Sequence, residues 1–129
     1  MTTLAALRAD LVDVLTTTEA PAHPHLPARL NAPCKVLEPS DPYVTDDVET
    51  LTFDEVRVSF DVFLIVRHGT PAKQTEDLDA MVQEVFDAVN GTEAWFAREV
   101  AQPYALVMPD QSSYLTTRVR VSTDVRLTR

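Results

Sequence analysis

Cysteine is almost missing from this sequence: Cys34 is the only one among 129 residues. A single thiol excludes a disulfide within the chain, and it suits a reducing compartment. The fold must therefore be stabilised by a packed core rather than by covalent cross-links. A chain of this length buries roughly two-thirds of its unfolded surface, which predicts one domain over residues 1–129.

Long apolar runs are missing as well. No run is longer than the one from Val62 to Val66, and a membrane span needs ~20 apolar residues. The opening residues, MTTLAALRAD, lack the charged-then-apolar order of a secretory leader, so we expect none. With 45% hydrophobic residues, the composition is typical of a soluble globular protein without a membrane partner.

Basic residues are few relative to acidic ones. The chain has 11 Lys and Arg against 20 Asp and Glu, and its formal net charge is -9 at pH 7. A protein that reads a nucleic-acid sequence needs a basic surface, so that class is disfavoured. The negative charge does not exclude a protein through which DNA passes without being bound. Eight of the acids lie between Glu38 and Asp61.

Two segments show the period of an amphipathic helix. The first is expected to begin after Thr2 or Thr3, either of which can cap it, and to end before Pro21. The second is expected to begin at Thr75 and to stop at Asn90-Gly91. The positions they would bury are Leu4, Leu7, Leu11, Val14 and Leu15 in the first, and Leu78, Met81, Val82, Val85, Phe86 and Val89 in the second.

Four segments favour strands, with a Pro-rich connector before the first. The strands are 34–38, 53–67, one within 93–100, and 114–127. Between the first two, residues 39–50 indicate an acidic loop, and residues 104–110 are ambiguous. The order of elements predicts an α+β fold: a mixed, mainly antiparallel sheet of about four strands with two helices on one face.

The strand Phe53–Arg67 alternates between two faces. One face bears Val56, Val58, Phe60, Val62, Leu64 and Val66, and the other bears Arg57, Ser59, Asp61, Phe63 and Ile65. The second face is polar early in the strand and apolar late in it. We therefore expect one solvated side in the first half and two covered sides in the second half.

The two longest strands exceed the size of a small globule. Fifteen residues at ~3.3 Å each span about 50 Å, whereas a compact chain of this length is roughly 36 Å across. Either bulges interrupt the strands, or their ends project and need a second chain to cover them. For the second case we predict a subunit interface at Val56, Val58, Val121 and Val125.

Arg67-His68-Gly69 follows an apolar strand, as the active-site motif of histidine phosphatases does. In that family a His accepts the phosphoryl group and a second His lies late in the chain. Here His23 and His25 precede the motif, none follows it, and only 61 residues remain after His68. The motif also supplies no acid for the leaving oxygen. We expect a strand end and a turn, and a protein that is not an enzyme.

The other candidate sites also have structural interpretations. His23-Pro24-His25 lacks further ligands at metal-binding spacing, and Asp46, Asp47 and Glu49 lack the pattern of a calcium loop. Cys34 is interpreted as a small core residue. Trp95-Phe96 is interpreted as a core or interface anchor. We predict no catalytic residue, no metal and no cofactor.

One strand face carries a basic row, formed by Arg118, Arg120 and Arg126. The expected partners are acids on a neighbouring strand, because oppositely charged side chains pair across strands. The long strand offers Asp54 and Asp61 for this role, on the same side as Arg57.

The layout as a whole resembles the tail terminator proteins of long-tailed bacteriophages (siphoviruses), the minor tail proteins that cap the tail tube. The resemblance covers nearly the full chain and depends on the order and length of its segments. These are LAALRADLVDVL, LNAPCKVLEPSDPYV, TFDEVRVSFDVFLIV, TEDLDAMVQEVFDAV, WFAREVAQPYAL and SYLTTRVRVSTDVR.

Membership of that family implies a structural virion protein at the head-proximal end of the tail, assembled in the host cytoplasm. Its subunits form a homo-oligomeric ring, typically a hexamer, which ends polymerisation of the tail tube protein and docks the head–tail connector proteins. DNA passes through the lumen without specific binding. Three alternatives stay open, of which the first two are a connector or adaptor protein of the same particle and a phosphatase-like enzyme. A monomeric or dimeric binding module is the third.

Overall fold

The computed structural model of the protein describes residues 2–16, 20–46, 48–49 and 51–128. These residues form two helices and six strands. In chain order they are α1 (Leu4–Leu15), β1 (Ala22–His23), β2 (Cys34–Thr45), β3 (Val56–Ile65), α2 (Pro71–Asn90), β4 (Trp95–Val100), β5 (Tyr104–Val107) and β6 (Ser113–Val125). The predicted α+β class is confirmed. None of these helices is long and apolar enough to cross a membrane.

The strands form one mixed sheet in the order β1-β2-β3-β6-β4, and β5 also pairs with β6. Only β1 and β2 are parallel; the other neighbours are antiparallel. The sheet thus has six strands rather than about four. The two extra strands are short: β1 lies in the Pro-rich connector, and β5 lies in the ambiguous segment 104–110.

Both helices pack on the same face of the sheet, as predicted. The buried residues of α1 and α2 join one hydrophobic cluster with the inward side of β3, including Phe60 and Val62. The helical members of this cluster are Leu7, Leu11, Leu15, Leu78, Met81, Val85 and Val89. A smaller cluster around Cys34 and Ile65 lies on the opposite face. The late half of β3 is therefore covered on both sides, as its alternation predicts.

The two helices begin at capped residues. Thr3 accepts a hydrogen bond from the Ala6 amide at 3.1 Å, which confirms one of the two predicted caps. The second helix begins at Pro71 rather than at Thr75, and Thr70 caps it by accepting from the Lys73 amide at 3.2 Å. Proline suits the first helical turn because the turn leaves its amide positions without a partner.

Strand β2 is longer than the sequence indicates, and the predicted acidic loop at 39–50 is wrong in its first half. The strand continues through two prolines to Thr45, with a register shift between Pro39 and Val44. Proline is tolerated on edge strands and at bulges, where its missing N–H removes no ladder bond. This part of β2 is such an edge, because β1 pairs only with Lys35 and Val36.

Strand β3 is shorter than the predicted Phe53–Arg67. It contains ten residues, which at ~3.3 Å each span about 33 Å and fit within the globule. Strand β6 is paired along its full length, with β5 from Ser113 to Thr116 and with β3 from Thr116 to Val125. Strand length alone therefore does not require a second chain.

Candidate functional site

The Arg67-His68-Gly69 segment forms an exposed loop between β3 and α2. The ring of His68 stacks on Tyr114, with 4.7 Å between the ring centroids. This contact places the imidazole against β6 rather than in the cleft beside the loop, which Arg67 lines and His68 does not. The loop connects a strand to a capped helix, as the turn interpretation predicts.

Metal ligands and reactive thiols do not converge in the part of the chain that the structure describes. No group of three or more His, Cys, Asp or Glu side chains in that part could hold a metal ion. His23 lies in β1, so the Pro-rich connector that contains it is partly a strand. Cys34 is fully buried, and burial raises the pKa of its thiol to about 11. Cys34 is thus a core residue, as predicted.

Asp61 pairs with two members of the basic row, Arg118 and Arg120, as predicted, whereas neither Asp54 nor Arg126 forms an ion pair within 4.0 Å among the described residues. Arg118 and Arg120 both lie 3.7 Å from the Asp61 carboxylate, beyond hydrogen-bond distance. Arg57 donates two hydrogen bonds to Asp124, at 2.7 and 3.0 Å. The Asp124 bonds raise the pKa of Arg57. Ser59 and Asp61 are buried, so the side expected to be solvated is covered by these long side chains.

The predicted subunit interface is wrong for two of its four residues. Val58 and Val121 have 0% exposure and belong to the core cluster that the helices cover. Side chains without exposed surface cannot contact a second subunit in this conformation. Val56 and Val125 pair with each other at the end of the sheet and are only partly buried. For these two residues the interface stays a prediction.

The sheet has two free edges that differ from one another. On one side, β4 and β5 follow each other along β6, and no described strand pairs with their outer side. This edge exposes Val100, Tyr104 and Val107. On the other side, the part of β2 beyond its contact with β1 is unpaired on its outer side among the described residues. Val44 is exposed there.

The turn between β2 and β3, here called the hairpin tip (residues 46–55), presents an exposed aromatic side chain. Phe53 is 87% exposed. Hydrogen bonds order the turn around it: the Thr52 amide and hydroxyl donate to the Glu55 carboxylate at 2.8 and 2.6 Å. These bonds lower the pKa of Glu55. Asp54 adopts a positive φ of 66°, which Asp tolerates better than most residues.

The hairpin tip is also acidic. It contains five acids and no basic residue, namely Asp46, Asp47, Glu49, Asp54 and Glu55. The prolines and like charges of the sequence predict a mobile loop from Asp41 to Glu49. It overlaps the tip only in part, because residues 41–45 belong to β2. Asp47 lies outside the described residues. Mobility of the remainder stays a prediction.

A cleft of about 590 Å³ lies between α2 and the end of β3, and we call it the α2 cleft. Its lining is half apolar and half charged: Ala20, Pro33, Val66, Arg67, Lys73, Asp77, Ala80, Met81 and Glu84. Lys73 forms an ion pair with Asp77 at 3.1 Å. Arg67 has no acidic partner within 4.0 Å among the residues described.

A buried lysine, Lys35, binds Glu84 in the wall of the α2 cleft. The ammonium of Lys35 donates to the Leu15 carbonyl at the end of α1 and to Glu84 on α2, both at 2.6 Å. The carbonyls in the last turn of a helix lack backbone partners, and a cation there is favourable. Lys35 thereby ties both helices to β2.

Sequence patterns alone did not identify Phe53 or Lys35 as residues of interest. Phe53 was assigned to a strand because it precedes an alternating run, although Asp54-Glu55 after it is a turn signal. Lys35 lies in an apolar strand, and a cation at an inward position is the signal that could have marked it.

No protein-family model matches the chain, and no curated protein matches it.

Proposed function

We propose that the chain is a tail terminator: a non-enzymatic virion subunit that forms a ring on the tail tube. The ring ends polymerisation of the tube protein at the head-proximal end of the tail and presents a docking surface for the head. The proposal is supported by the resemblance of the segment order and by one structural observation, the two unlike free edges of the sheet.

Unlike edges favour a head-to-tail arrangement of subunits. A contact between two different surfaces generates a ring when the rotation between subunits closes, whereas a two-fold dimer uses the same surface twice. In the proposed ring, the outer side of β2 in one subunit lies beside the β4–β5 edge of the next, so the sheet continues from subunit to subunit. The exposed Val44, Val100 and Val107 become covered.

The charge of the chain suits the passage of DNA. A net charge of -9 per subunit repels phosphates over about a Debye length, ~8–10 Å at physiological ionic strength. Tight binding of DNA depends on Lys and Arg neutralising phosphates, and most of the described Arg side chains on β6 already face acids. A lumen formed by this chain would let DNA slide.

A head–tail connector or adaptor of the same particle would use a ring of the same kind. The two roles differ in the surface to which the ring binds. A terminator binds the open end of tail tubes that lack heads, whereas a connector binds filled heads first. Sedimentation of the purified protein with each of the two particles separates these roles.

Light scattering at several salt concentrations, with negative-stain images of the same sample, tests the ring. We expect a discrete multiple of the 14.4 kDa subunit and closed rings in the images. The double substitution Tyr104→Lys and Val107→Lys places charges on the β4–β5 edge and should reduce assembly. Leu26→Lys, at another exposed apolar residue, is the matched control. A monomer at high concentration, and on exposed tubes as well, would contradict the proposal.

A further inference from the structure

Phe53 is the most exposed of the large hydrophobic side chains in the described part of the chain. It lies on a turn that hydrogen bonds between Thr52 and Glu55 hold in shape. An aromatic side chain presented on an ordered turn is typical of an anchor that fills a pocket on a partner, because aromatic anchors dominate many interfaces. The tip therefore offers an anchor that an apolar pocket on a partner could enclose.

The α2 cleft has the chemistry of such a pocket. Val66, Ala80, Met81 and Pro33 supply apolar surface, and a volume of about 590 Å³ leaves room for an aromatic side chain. The two acids of the lining, Asp77 and Glu84, are each paired with a lysine. Arg67 lies in the same lining without an acid within 4.0 Å among the described residues. The described acids of the tip, Asp46, Glu49, Asp54 and Glu55, complement this cation, since opposite charges across a contact favour the correct partner.

A subunit cannot fill its own cleft with its own tip. The tip precedes Val56 at the start of β3, and the cleft begins at Val66, just after its end. The ten residues of β3 separate them by about 33 Å at ~3.3 Å per residue. A tip that enters this kind of cleft must therefore come from another copy of the chain.

We propose that the hairpin tip of one subunit inserts Phe53 into the α2 cleft of the next subunit. The contact joins two different surfaces at opposite ends of β3, so it repeats head to tail around the assembly. Arg67 of the receiving subunit faces the acids of the incoming tip. The proposal rests on the proposed ring of subunits. It identifies side chains that connect neighbouring subunits in that ring.

Cross-linking between two single-cysteine variants tests this contact directly. Phe53→Cys and Ala80→Cys both alter exposed positions, and the native Cys34 is fully buried. The two proteins are mixed at high concentration, because Phe53→Cys also removes the proposed anchor and weakens the contact, and are treated with a short bismaleimide. We expect one cross-linked pair that contains one of each variant. The double variant, with both cysteines in one chain, should give a ladder of cross-linked subunits that ends at the size of the ring.

Matched controls use cysteines of similar exposure at other positions. Asp79→Cys lies on α2 outside the cleft lining, and Leu26→Cys replaces another exposed apolar residue. Neither should cross-link to the partner cysteine. A dimer formed by Phe53→Cys alone would show that two tips meet each other, and it would overturn the proposal. Equal cross-linking of the control residues would do the same.

Substitution at the tip gives a second measurement. Phe53→Ala should weaken association of subunits at least about tenfold, as expected for an interface anchor, while the melting temperature of the monomer is unchanged. Arg67→Glu should weaken it too, and Glu49→Lys should restore part of the loss in the double variant. Full assembly of Phe53→Ala would contradict the insertion of Phe53.

The same experiments distinguish this proposal from the proposed function. Rings that form without any cross-link between positions 53 and 80 overturn the tip contact and leave the terminator proposal intact. A cross-link that yields only open chains, at any concentration and on tail tubes, supports the tip contact and contradicts the closed ring. Absence of both assembly and cross-link at high concentration overturns both. Cross-linking of Phe53→Cys to tube protein instead of a second copy also overturns the tip contact.

Discussion

The ammonium of Lys35 lies 2.6 Å from the carboxylate of Glu84, although the lysine side chain is 1% exposed and the glutamate side chain is 45% exposed. The pair therefore joins a group removed from water to a group that solvent still reaches. Lys35 keeps one further acceptor, the carbonyl of Leu15. Among the described residues the ammonium has these two acceptors, Glu84 and the Leu15 carbonyl, so each matters for the stability of the fold.

Replacing Glu84 by Ala should lower the free energy of unfolding by about 1–3 kcal/mol, because it removes the only carboxylate that pairs with the buried ammonium among the described residues. Because solvent reaches Glu84, the expected loss in free energy of unfolding is smaller than the loss for a fully buried pair. Urea denaturation at pH 7 measures the change. Asp79→Ala, an exposed acid on the same helix, should leave the unfolding midpoint nearly unchanged. Equal effects of the two substitutions would contradict the role assigned to the pair.

The indole N–H of Trp95 donates to Asp10 on α1 at 2.7 Å. Asp10→Ala removes the acceptor of a buried side chain and should cost about 1–2 kcal/mol. Trp95 is the only tryptophan, so its fluorescence reports both the local change and the unfolding transition. Asp13→Ala on the same helix is the control. An unchanged emission spectrum and unchanged stability in Asp10→Ala would refute the contact.

Val58→Asp should unfold the monomer rather than separate subunits. The residue is fully buried in the core, and an unpaired carboxylate there costs on the order of 5 kcal/mol, comparable to the stability of a small domain. Circular dichroism and thermal melting measure this outcome. Val107→Asp, at an exposed edge position, should leave the monomer folded. A cooperative melt in Val58→Asp close to that of the wild type would be incompatible with this core position.

The stability of the protein should decrease between pH 9 and pH 11 in a manner that depends on Cys34. Its pKa is raised from 9.0 to about 11 by burial, so the thiol ionises in the unfolded chain before it ionises in the folded one. The stabilisation is fully present below pH 9 and is lost as the pH rises through 11. The wild type should lose about 2–3 kcal/mol more than Cys34→Ala over this interval. Parallel pH profiles of the two proteins would count against the predicted shift.

His68→Ala should leave folding and particle assembly intact. Among the described residues, the contact that the substitution removes is the stack on Tyr114, which contributes about 1 kcal/mol. The wild type should release no phosphate from a generic phosphomonoester. Turnover that disappears in His68→Ala would restore the phosphatase alternative and contradict the non-enzymatic role.

The periodicity of the sequence predicts which side chains share a face, and it does so reliably where one element faces a core. The inward positions of both helices and of β3 are examples. Periodicity does not say what covers that face. Val58 and Val121 were assigned to a subunit contact because their strands appeared too long for the globule, whereas α1 and α2 of the same chain cover them. Only the tertiary arrangement distinguishes the two cases.

Strand ends were harder to predict because proline has different effects at the centre and at the edge of a sheet. Pro39 and Pro42 made residues 39–45 look like a loop, yet they lie on the outer strand, where a missing N–H is harmless. The tip was misassigned for a related reason. Phe53 continues the alternation of β3, and only the hydrogen bonds between Thr52 and Glu55 place it in a turn.

The position of β6 in the sheet has a consequence for the synthesis of the chain. Strand β6 pairs with β3 on one side and with both β4 and β5 on the other, yet it follows all of them in sequence. Until residues 113–125 have left the ribosome, three strands have a hydrogen-bonding edge without its final partner. Such edges are prone to aggregate. The sheet can therefore complete its pairing only after β6 has been translated.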